Sequence, residues 1–131
     1  MMKTKYILEL TETQAQALAT ALESFVRLGI TQYGAAIDMA LPGDLLPGHK
    51  PELEGAFNTI KKVIHGLNPN QGLSILNSTE VSEPVKIAHD AYEVIRYRLS
   101  WDKHPEGGST VNFSEPLRAS KTEELPVFRK V

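Results

Sequence analysis

The sequence predicts an α+β fold, in which about four helices pack on a small antiparallel sheet. Apolar residues recur at helical spacing along four stretches of the chain. Residues 5–10 are rich in strand-forming side chains, and residues 110–113 alternate polar with apolar ones. A glycine-containing turn at 106–109 leads into the second of these segments. We therefore expect the two segments to pair as strands of one sheet.

The chain has 131 residues, and we expect residues 1–131 to form one domain around a single core. From about residue 115 onward, Pro116 and Pro126 interrupt regular structure while apolar side chains continue between polar ones. This pattern predicts an extended C-terminal arm, which lies across the domain or onto a neighbouring subunit.

Composition excludes several classes of protein. A formal net charge of -2 argues against a nucleic acid polymer or an anionic membrane as the partner, since both attract a concentrated basic face. The absence of cysteine excludes disulfide scaffolds, zinc thiolate sites and thiol catalysis. The opening residues are too polar for a signal peptide, and no apolar run approaches membrane-spanning length. A cytoplasmic location is the expectation that follows.

The first helix is expected to begin after a capping box formed by Thr11 and Gln14. Gly29 is placed to close this helix in the left-handed conformation, and Thr31 to cap a second helix whose inward face begins at Tyr33. The periodicity of the first helix comes from one apolar stripe of Ala15, Leu18, Leu22, Phe25 and Val26.

Residues 41–51 hold three of the eight prolines and predict a loop. A third helix follows, with Pro51 in its first turn and Gly66 at its end. The fourth helix is expected to start after Ser82 and to reach about Ser100.

The fourth helix carries the most informative charged residue, Arg98. In helical projection it falls between two apolar arcs, where an unpaired guanidinium would cost several kcal/mol of desolvation. Its partner is either an internal carboxylate, with Asp102, Asp38 and Asp90 as the candidates, or an anionic ligand such as a phosphate. Arg96 projects onto the opposite, polar face, where a solvated side chain with weak ion pairs is the simplest interpretation.

Aromatic residues near Arg98 allow two interpretations. Trp101 and Tyr97 can stack on a nucleotide base, or they can belong to the core, as aromatics at helical spacing usually do. His65, the pair His89 and Asp90, and then Asp102 follow the order of ligands in metal-dependent phosphohydrolases, but the last acid ends the same helix, so that a shared metal is not expected. Sequence motifs for other catalytic sites are missing, and we expect neither a metal, a cofactor nor an enzyme.

The block at 91–102, AYEVIRYRLSWD, continues through Pro-Glu-Gly-Gly at 105–108 to Val111, Phe113 and Pro116. This pattern resembles a group of small tailed-phage proteins of unassigned role, and the resemblance spans most of the chain. The chain departs from the group's pattern in its loop at 42–51 and at Gly34. The resemblance implies a phage origin and no established activity.

Phage origin would favour an accessory protein that acts in the host cytoplasm against host defence. One hypothesis is a homo-oligomeric, non-catalytic sponge that sequesters a nucleotide-derived signalling molecule. The alternative is a module that binds a host or phage protein through its apolar arm and helical surface, so that the arginines are structural. For the sponge, the expected ligand-binding residues are Arg98, Arg96, Arg27, Trp101, Tyr97, Tyr33 and His104.

Overall fold

The computed structural model describes residues 3–41, 43 and 47–131, and within these ranges the chain is all-α, without a β-strand. The predicted α+β class is therefore wrong. Two short 3-10 turns, Pro47–His49 and Val111–Phe113, accompany the helices. The helices are α1 (Glu12–Gly29), α2 (Tyr33–Ala40), α3 (Lys50–His65) and α4 (Glu83–Lys103).

The predicted sheet does not form because neither predicted strand finds a partner. A strand needs hydrogen bonds to a neighbouring strand, and residues 5–10 make no backbone hydrogen bond within the described ranges. Residues 111–113 instead close a 3-10 turn, in which the Phe113 amide donates to Thr110. We call residues 3–10 the N-terminal arm and residues 115–131 the C-terminal arm; neither contains a helix or a strand.

The start of α1 confirms the predicted capping box. The Gln14 amide donates to Thr11 Oγ1 at 3.2 Å, and the Thr11 amide donates to Gln14 Oε1 at 2.9 Å. Two amides that the helix leaves without a carbonyl are thereby satisfied.

The corner between α1 and α2 differs from the prediction. Gly29 remains helical, whereas Thr31 takes the left-handed conformation with φ 70° and is not the cap of α2. Gly29 is needed for close packing, since a Cβ there would lie 2.5 Å from Val85 Cγ2 on α4. The chain turns after Ile30, and the Gln32 amide donates to the Arg27 carbonyl at 2.8 Å.

The core lies where α1 packs against α4, with α2 against α1 and α3 against α2. Burial at this contact follows the predicted helical periodicity only in part, because Phe25 of the α1 stripe is about half exposed. The fully buried cluster is small: Val26, Val81, Val85 and Ala88, surrounded by Leu22, Ile30, Leu73 and Ile75.

The third helix begins and ends close to the predicted positions. Pro51 lies in its first turn, and Gly66 terminates it in the left-handed conformation with φ 67°. Part of the predicted loop before it, residues 42 and 44–46, lies outside the described residues. On its last turn, Val63 and Ile64 are exposed. None of the helices in the described ranges combines the length and the apolar character that a membrane crossing requires.

Gly29→Ala is expected to lower the free energy of unfolding by about 1–3 kcal/mol, because the added methyl group overlaps Val85. Urea denaturation measures the change. Gly55→Ala is the matched control: Gly55 is also helical, but a Cβ there meets nothing within 4 Å, so this change should stabilise by up to about 1 kcal/mol. Adding Val85→Ala to Gly29→Ala should recover part of the loss. Equal effects of the two glycine changes would contradict the close approach.

Candidate functional site

Arg98 forms an ion pair within its own helix. Its Nη2 lies 2.7 Å from Oδ1 of Asp102, one turn further along α4, and both side chains are about one-third exposed. Of the partners weighed for Arg98, the structure thus supplies an internal carboxylate, and it is Asp102 and neither Asp38 nor Asp90. Because both side chains are this exposed, the pair is worth little stability on its own.

The rings next to Arg98 pack on one another. Trp101 meets Phe113 edge to face, with ring centroids 5.4 Å apart, and its indole N–H donates to the Phe113 carbonyl at 3.4 Å. Tyr97 contacts Trp101 at 6.3 Å between centroids. Such contacts contribute about 0.5–1.5 kcal/mol beyond the buried area. They favour the core interpretation of Trp101, since Phe113 occupies one side of the indole.

The glycine pair before Val111 supports these rings and does not form the predicted hairpin turn. Gly107 has φ 83°, and a Cβ on it would lie 2.9 Å from Trp101 Cη2. A Cβ on Gly108 would lie 2.5 Å from the Phe113 ring. The two glycines therefore allow the backbone to pass directly beneath the aromatic side chains.

Arg96 is more buried than Arg98, which reverses the expectation from the helical projection. The Arg96 side chain is 21% exposed and that of Arg98 is 38% exposed. Arg96 Nη2 lies 2.5 Å from Glu93 Oε2, its Nη1 donates to the Tyr92 hydroxyl at 3.3 Å, and the guanidinium lies 5.0 Å from the Tyr92 ring centroid. The interpretation of Arg96 as a solvated residue is wrong, because the polar face of α4 is largely covered.

His89 joins two carboxylates on this covered face. Its Nδ1 lies 3.1 Å from Asp90 Oδ1, and its Nε2 lies 3.3 Å from Glu93 Oε1. Ionised carboxylates only accept hydrogen bonds, so both ring nitrogens must carry protons, as in an imidazolium. Burial alone would lower the pKa of His89, but the hydrogen bonds to Glu93 and Asp90 outweigh it and raise that pKa. Burial opposes ionisation of Glu93 too, yet the His89 hydrogen bond and the Arg96 charge lower the pKa of Glu93.

Asp90 connects α4 to the C-terminal arm. Its carboxylate, which is 2% exposed as a residue, accepts the Ala119 amide at 2.6 Å and the Ser120 amide at 3.1 Å. About two helical turns earlier, Glu83 accepts the hydroxyls of Ser120 at 2.5 Å and Thr122 at 2.8 Å. These hydroxyl bonds lower the pKa of Glu83. We call these five residues the arm anchor.

The remaining predicted ligand residues on α1 and α2 have contacts of their own. Arg27 donates to the Gln32 side chain at 2.6 Å and lies 3.8 Å from Glu23. Tyr33 is buried, and its ring packs against Phe57 of α3 with centroids 6.3 Å apart.

The predicted ligand residues do not converge on one pocket. Three of them, Tyr97, Arg98 and Trp101, line an open cleft of about 360 Å³ together with Pro105. His104 lies close by, with its ring 6.2 Å from Phe113. The lining of this cleft includes neither Arg96, Arg27 nor Tyr33. Within the described ranges, no group of three or more His, Asp or Glu side chains is placed to hold a metal ion.

Sequence reasoning missed the arm anchor. From the sequence, Asp90 is a candidate only as a metal ligand or as a partner of Arg98, and Glu83 is not among the candidate residues. Serine and threonine in the arm are common in loops, and backbone amides, which are the donors to Asp90, are present at every non-proline residue. The sequence signal was limited to one acid flanked by His89 and alanine in a mostly apolar helical stretch.

No family model matches the chain, and comparison with curated proteins and with solved structures gives no match either. The resemblance to tailed-phage proteins, and the functions expected from it, therefore stay predictions.

Asp90→Ala is expected to lower the free energy of unfolding by about 3–5 kcal/mol, since it leaves buried amides and the His89 charge without their acceptor. The C-terminal arm should also leave α4, so that trypsin cleaves at Arg118 and Lys121 much faster than in the wild type. Limited proteolysis followed by mass spectrometry measures this. Asp38→Ala, which removes an exposed carboxylate, is the control and should change neither property. Unchanged cleavage in Asp90→Ala would show that other contacts hold the arm.

The ion pair of His89 and Glu93 predicts a window of maximal stability. The pKa of His89 is raised in the folded protein. Its contribution to the stability is therefore complete below the ordinary pKa of 6.5 and is lost as the pH rises through the pKa of the folded state. Because the folded pKa of Glu93 is lowered, its contribution is complete above 4.5 and is lost as pH falls through the folded pKa.

We therefore expect the stability difference between wild type and His89→Gln to be largest between pH 4.5 and 6.5 and to shrink above it. Denaturant unfolding at a series of pH values measures the difference. His104→Gln, at an exposed position, serves as the control. A difference that grows with rising pH would contradict the charged state of His89.

Proposed function

We propose that this chain is a non-catalytic protein-interaction module that binds its partner through the two terminal arms. The observation that carries the proposal is the exposure of large apolar side chains on the arms. Tyr6, Ile7 and Leu8 are exposed by 92%, 93% and 70%, and Val127 by 85%. Contiguous exposed apolar residues of this kind are typical of surfaces that another protein covers.

The arms border a concave surface of suitable size. Together with α4 they line a groove of about 1260 Å³, which contains both apolar side chains and charged residues. An apolar groove with a polar rim is the usual form of a site that takes a short segment of another protein. The arm anchor supports this role, because Asp90 holds the C-terminal side of the groove against α4.

The contacts of the arginines and aromatics also support an interaction module. Arg98 is paired with Asp102, Arg96 with Glu93, and Trp101 with Phe113, so each has a partner inside the chain. In this proposal the group stabilises the end of α4. The resemblance to tailed-phage proteins supports a host or phage protein as the partner.

A nucleotide sponge is the second candidate. It is supported by the cleft of Tyr97, Arg98, Trp101 and Pro105. The buried Nε of Arg98 has no hydrogen-bond partner among the residues that the structure describes. A phosphate beside Arg98 and a base on Tyr97 would use the chemistry that this cleft offers. The cleft is open and shallow, however, and a second copy would have to close it.

A photoreactive residue placed at Glu9, next to the apolar part of the N-terminal arm, is expected to crosslink one defined partner in cells that contain the chain. Ile7→Asp should abolish the crosslink, because a carboxylate in an apolar contact is costly to desolvate. Val63→Asp is the matched control, since it introduces the same charge at a similarly exposed apolar position on α3 and should leave the crosslink unchanged. Mass spectrometry identifies the adduct.

Two results would count against the proposal. One is a crosslink that persists in Ile7→Asp, or that is lost equally in Val63→Asp. The other is calorimetric binding of a cyclic dinucleotide or an ADP-ribose isomer tighter than about micromolar, lost in Arg98→Ala. The second result would instead establish the sponge.

A further inference from the structure

We infer that the first partner of the arms is a second copy of this chain: residues 3–10 of each copy lie in the groove of the other, and Lys3 and Lys5 pair with Glu123 and Glu124 of the partner subunit. The inference rests on the proposed function, because it names the occupant of the same groove. It specifies a symmetric, two-fold contact in which every interaction occurs twice.

The exposed surface area of the chain favours a second copy. The chain exposes 9424 Å² at a mass of 14.5 kDa. A compact monomer of this mass exposes about 6,900 Å². The excess of about 2,500 Å² per copy is about 5,000 Å² for two copies, which is the upper part of the range of about 2,000–5,000 Å² that obligate homodimer interfaces bury in total. The extra surface of one copy is thus large enough to supply its half of a permanent dimer contact.

The apolar side chains of the N-terminal arm also favour a second copy. The arm lines the groove of its own chain, but three consecutive residues, Tyr6, Ile7 and Leu8, are each at least 70% exposed there. Its backbone groups also make no hydrogen bond within the described ranges. Ordering such a segment costs about 1–2 kcal/mol per residue, and the two exposed ion pairs that it forms in its own chain offset little of that cost. A partner that covers the three apolar side chains adds the contacts that its own chain does not supply.

The groove matches the N-terminal arm in chemistry. Residues 3–10 line it in their own chain, and Ile87 and Leu99 of α4 and Leu125 and Phe128 of the C-terminal arm line it too, so the arm of a second copy would take the place that the chain's own arm has here. Ile87 is 38% exposed although it lies on the helix at the centre of the fold. Transfer of apolar side chains into this space contributes roughly 25 cal/mol per Å² buried. Tyr6, Ile7 and Leu8 of a second copy supply side chains of this chemistry.

The ion pairs between the two arms also favour a second copy. Lys3 lies 3.3 Å from Glu123 and Lys5 lies 3.7 Å from Glu124, so the lysines and the carboxylates already pair in matching order within one chain. Their exposure makes these pairs weak, so they can exchange between copies at little cost. If two copies exchange their N-terminal arms about a two-fold axis, the lysines of each copy pair with the carboxylates of the other. The dimer then contains four ion pairs, two for each chain, as two separate chains do. Because one chain carries both the lysines and their carboxylates, this arrangement favours a second copy over an unrelated protein.

Charge reversal distinguishes exchange between copies from pairing within a chain. The first variant combines Lys3→Glu with Lys5→Glu, and the second combines Glu123→Lys with Glu124→Lys. Each variant alone carries only like charges at the contact, and we expect its dimer dissociation constant to rise by at least about tenfold. An equimolar mixture restores opposite charges in both contacts, so it should form a one-to-one heterodimer. Native mass spectrometry at low salt separates the species.

The controls carry equal charge changes on α3, away from the arms: Lys50→Glu with Lys62→Glu, and Glu52→Lys with Glu54→Lys. The expected wild-type mass is about twice the monomer mass of 14.5 kDa, and the control variants should keep it. Ile7→Asp should yield monomers and Val63→Asp should not. A chain carrying all four arm reversals should dimerise with itself.

Three outcomes would overturn the inference: a monomeric wild type, a dimer that the arm variants leave intact, or a mixture of the two reversed variants that stays monomeric. These outcomes leave the proposed function separately testable. If the wild type is monomeric while Glu9 still crosslinks a different protein in an Ile7-dependent manner, the module stands and only its partner differs. If no crosslink depends on Ile7, both ideas fail together.

Discussion

The buried carboxylate of Asp90 is the interaction on which the course of the chain after α4 depends. Removing an ionised carboxylate from water costs several kcal/mol, and the cost is offset only when charged and hydrogen-bonding partners surround it. Two backbone amides of the C-terminal arm and the imidazolium of His89 supply these partners. A segment without regular structure thereby obtains one defined position on the helix. Glu83 makes the same kind of contact with side-chain hydroxyls nearer the start of α4.

Charged side chains of alternating sign contact one another along the covered face of α4. From Asp90 the contacts pass through His89 and Glu93 to Arg96, with acid and base alternating. Replacing such a set with apolar residues of equal volume often stabilises a protein, so its value here lies in selecting one arrangement. An apolar face would accept the arm at several registers, whereas Asp90 accepts only amides that reach both of its oxygens. The small apolar core at the α1–α4 contact is thus complemented by a polar contact of high specificity.

Local features were predictable from sequence. The capping box at Thr11, the end of α3 at Gly66 and the Arg98–Asp102 pair all involve residues within four positions of each other. The sheet was not predictable in this way, because strand-forming residues specify a strand only when a second segment reaches them. Residues 111–113 were drawn instead to Trp101 by the ring of Phe113.

The site was predicted less well than the helices. Helical projection orders residues by their own polarity, and it placed Arg98 inside and Arg96 outside. It contains no information about distant segments, such as the C-terminal arm, whose residues 119 and 120 bind Asp90. Similarly, Gly29 suggested a left-handed turn, whereas its small size is needed for contact with Val85 and the turn falls on Thr31. Distant packing thus decides the roles of Asp90 and Gly29.

The placement of Trp101 determines what intrinsic fluorescence can report about this protein. It is the only tryptophan of the chain, and its indole contacts Phe113 on one side and donates its N–H to a carbonyl. Its emission wavelength therefore reports the solvent exposure of the indole where α4 meets the 3-10 turn. The terminal arms contain no tryptophan, so their detachment from the domain does not change the fluorescence. Amide exchange, which samples the whole backbone, is the observable that separates the opening of the arms from the melting of the helices.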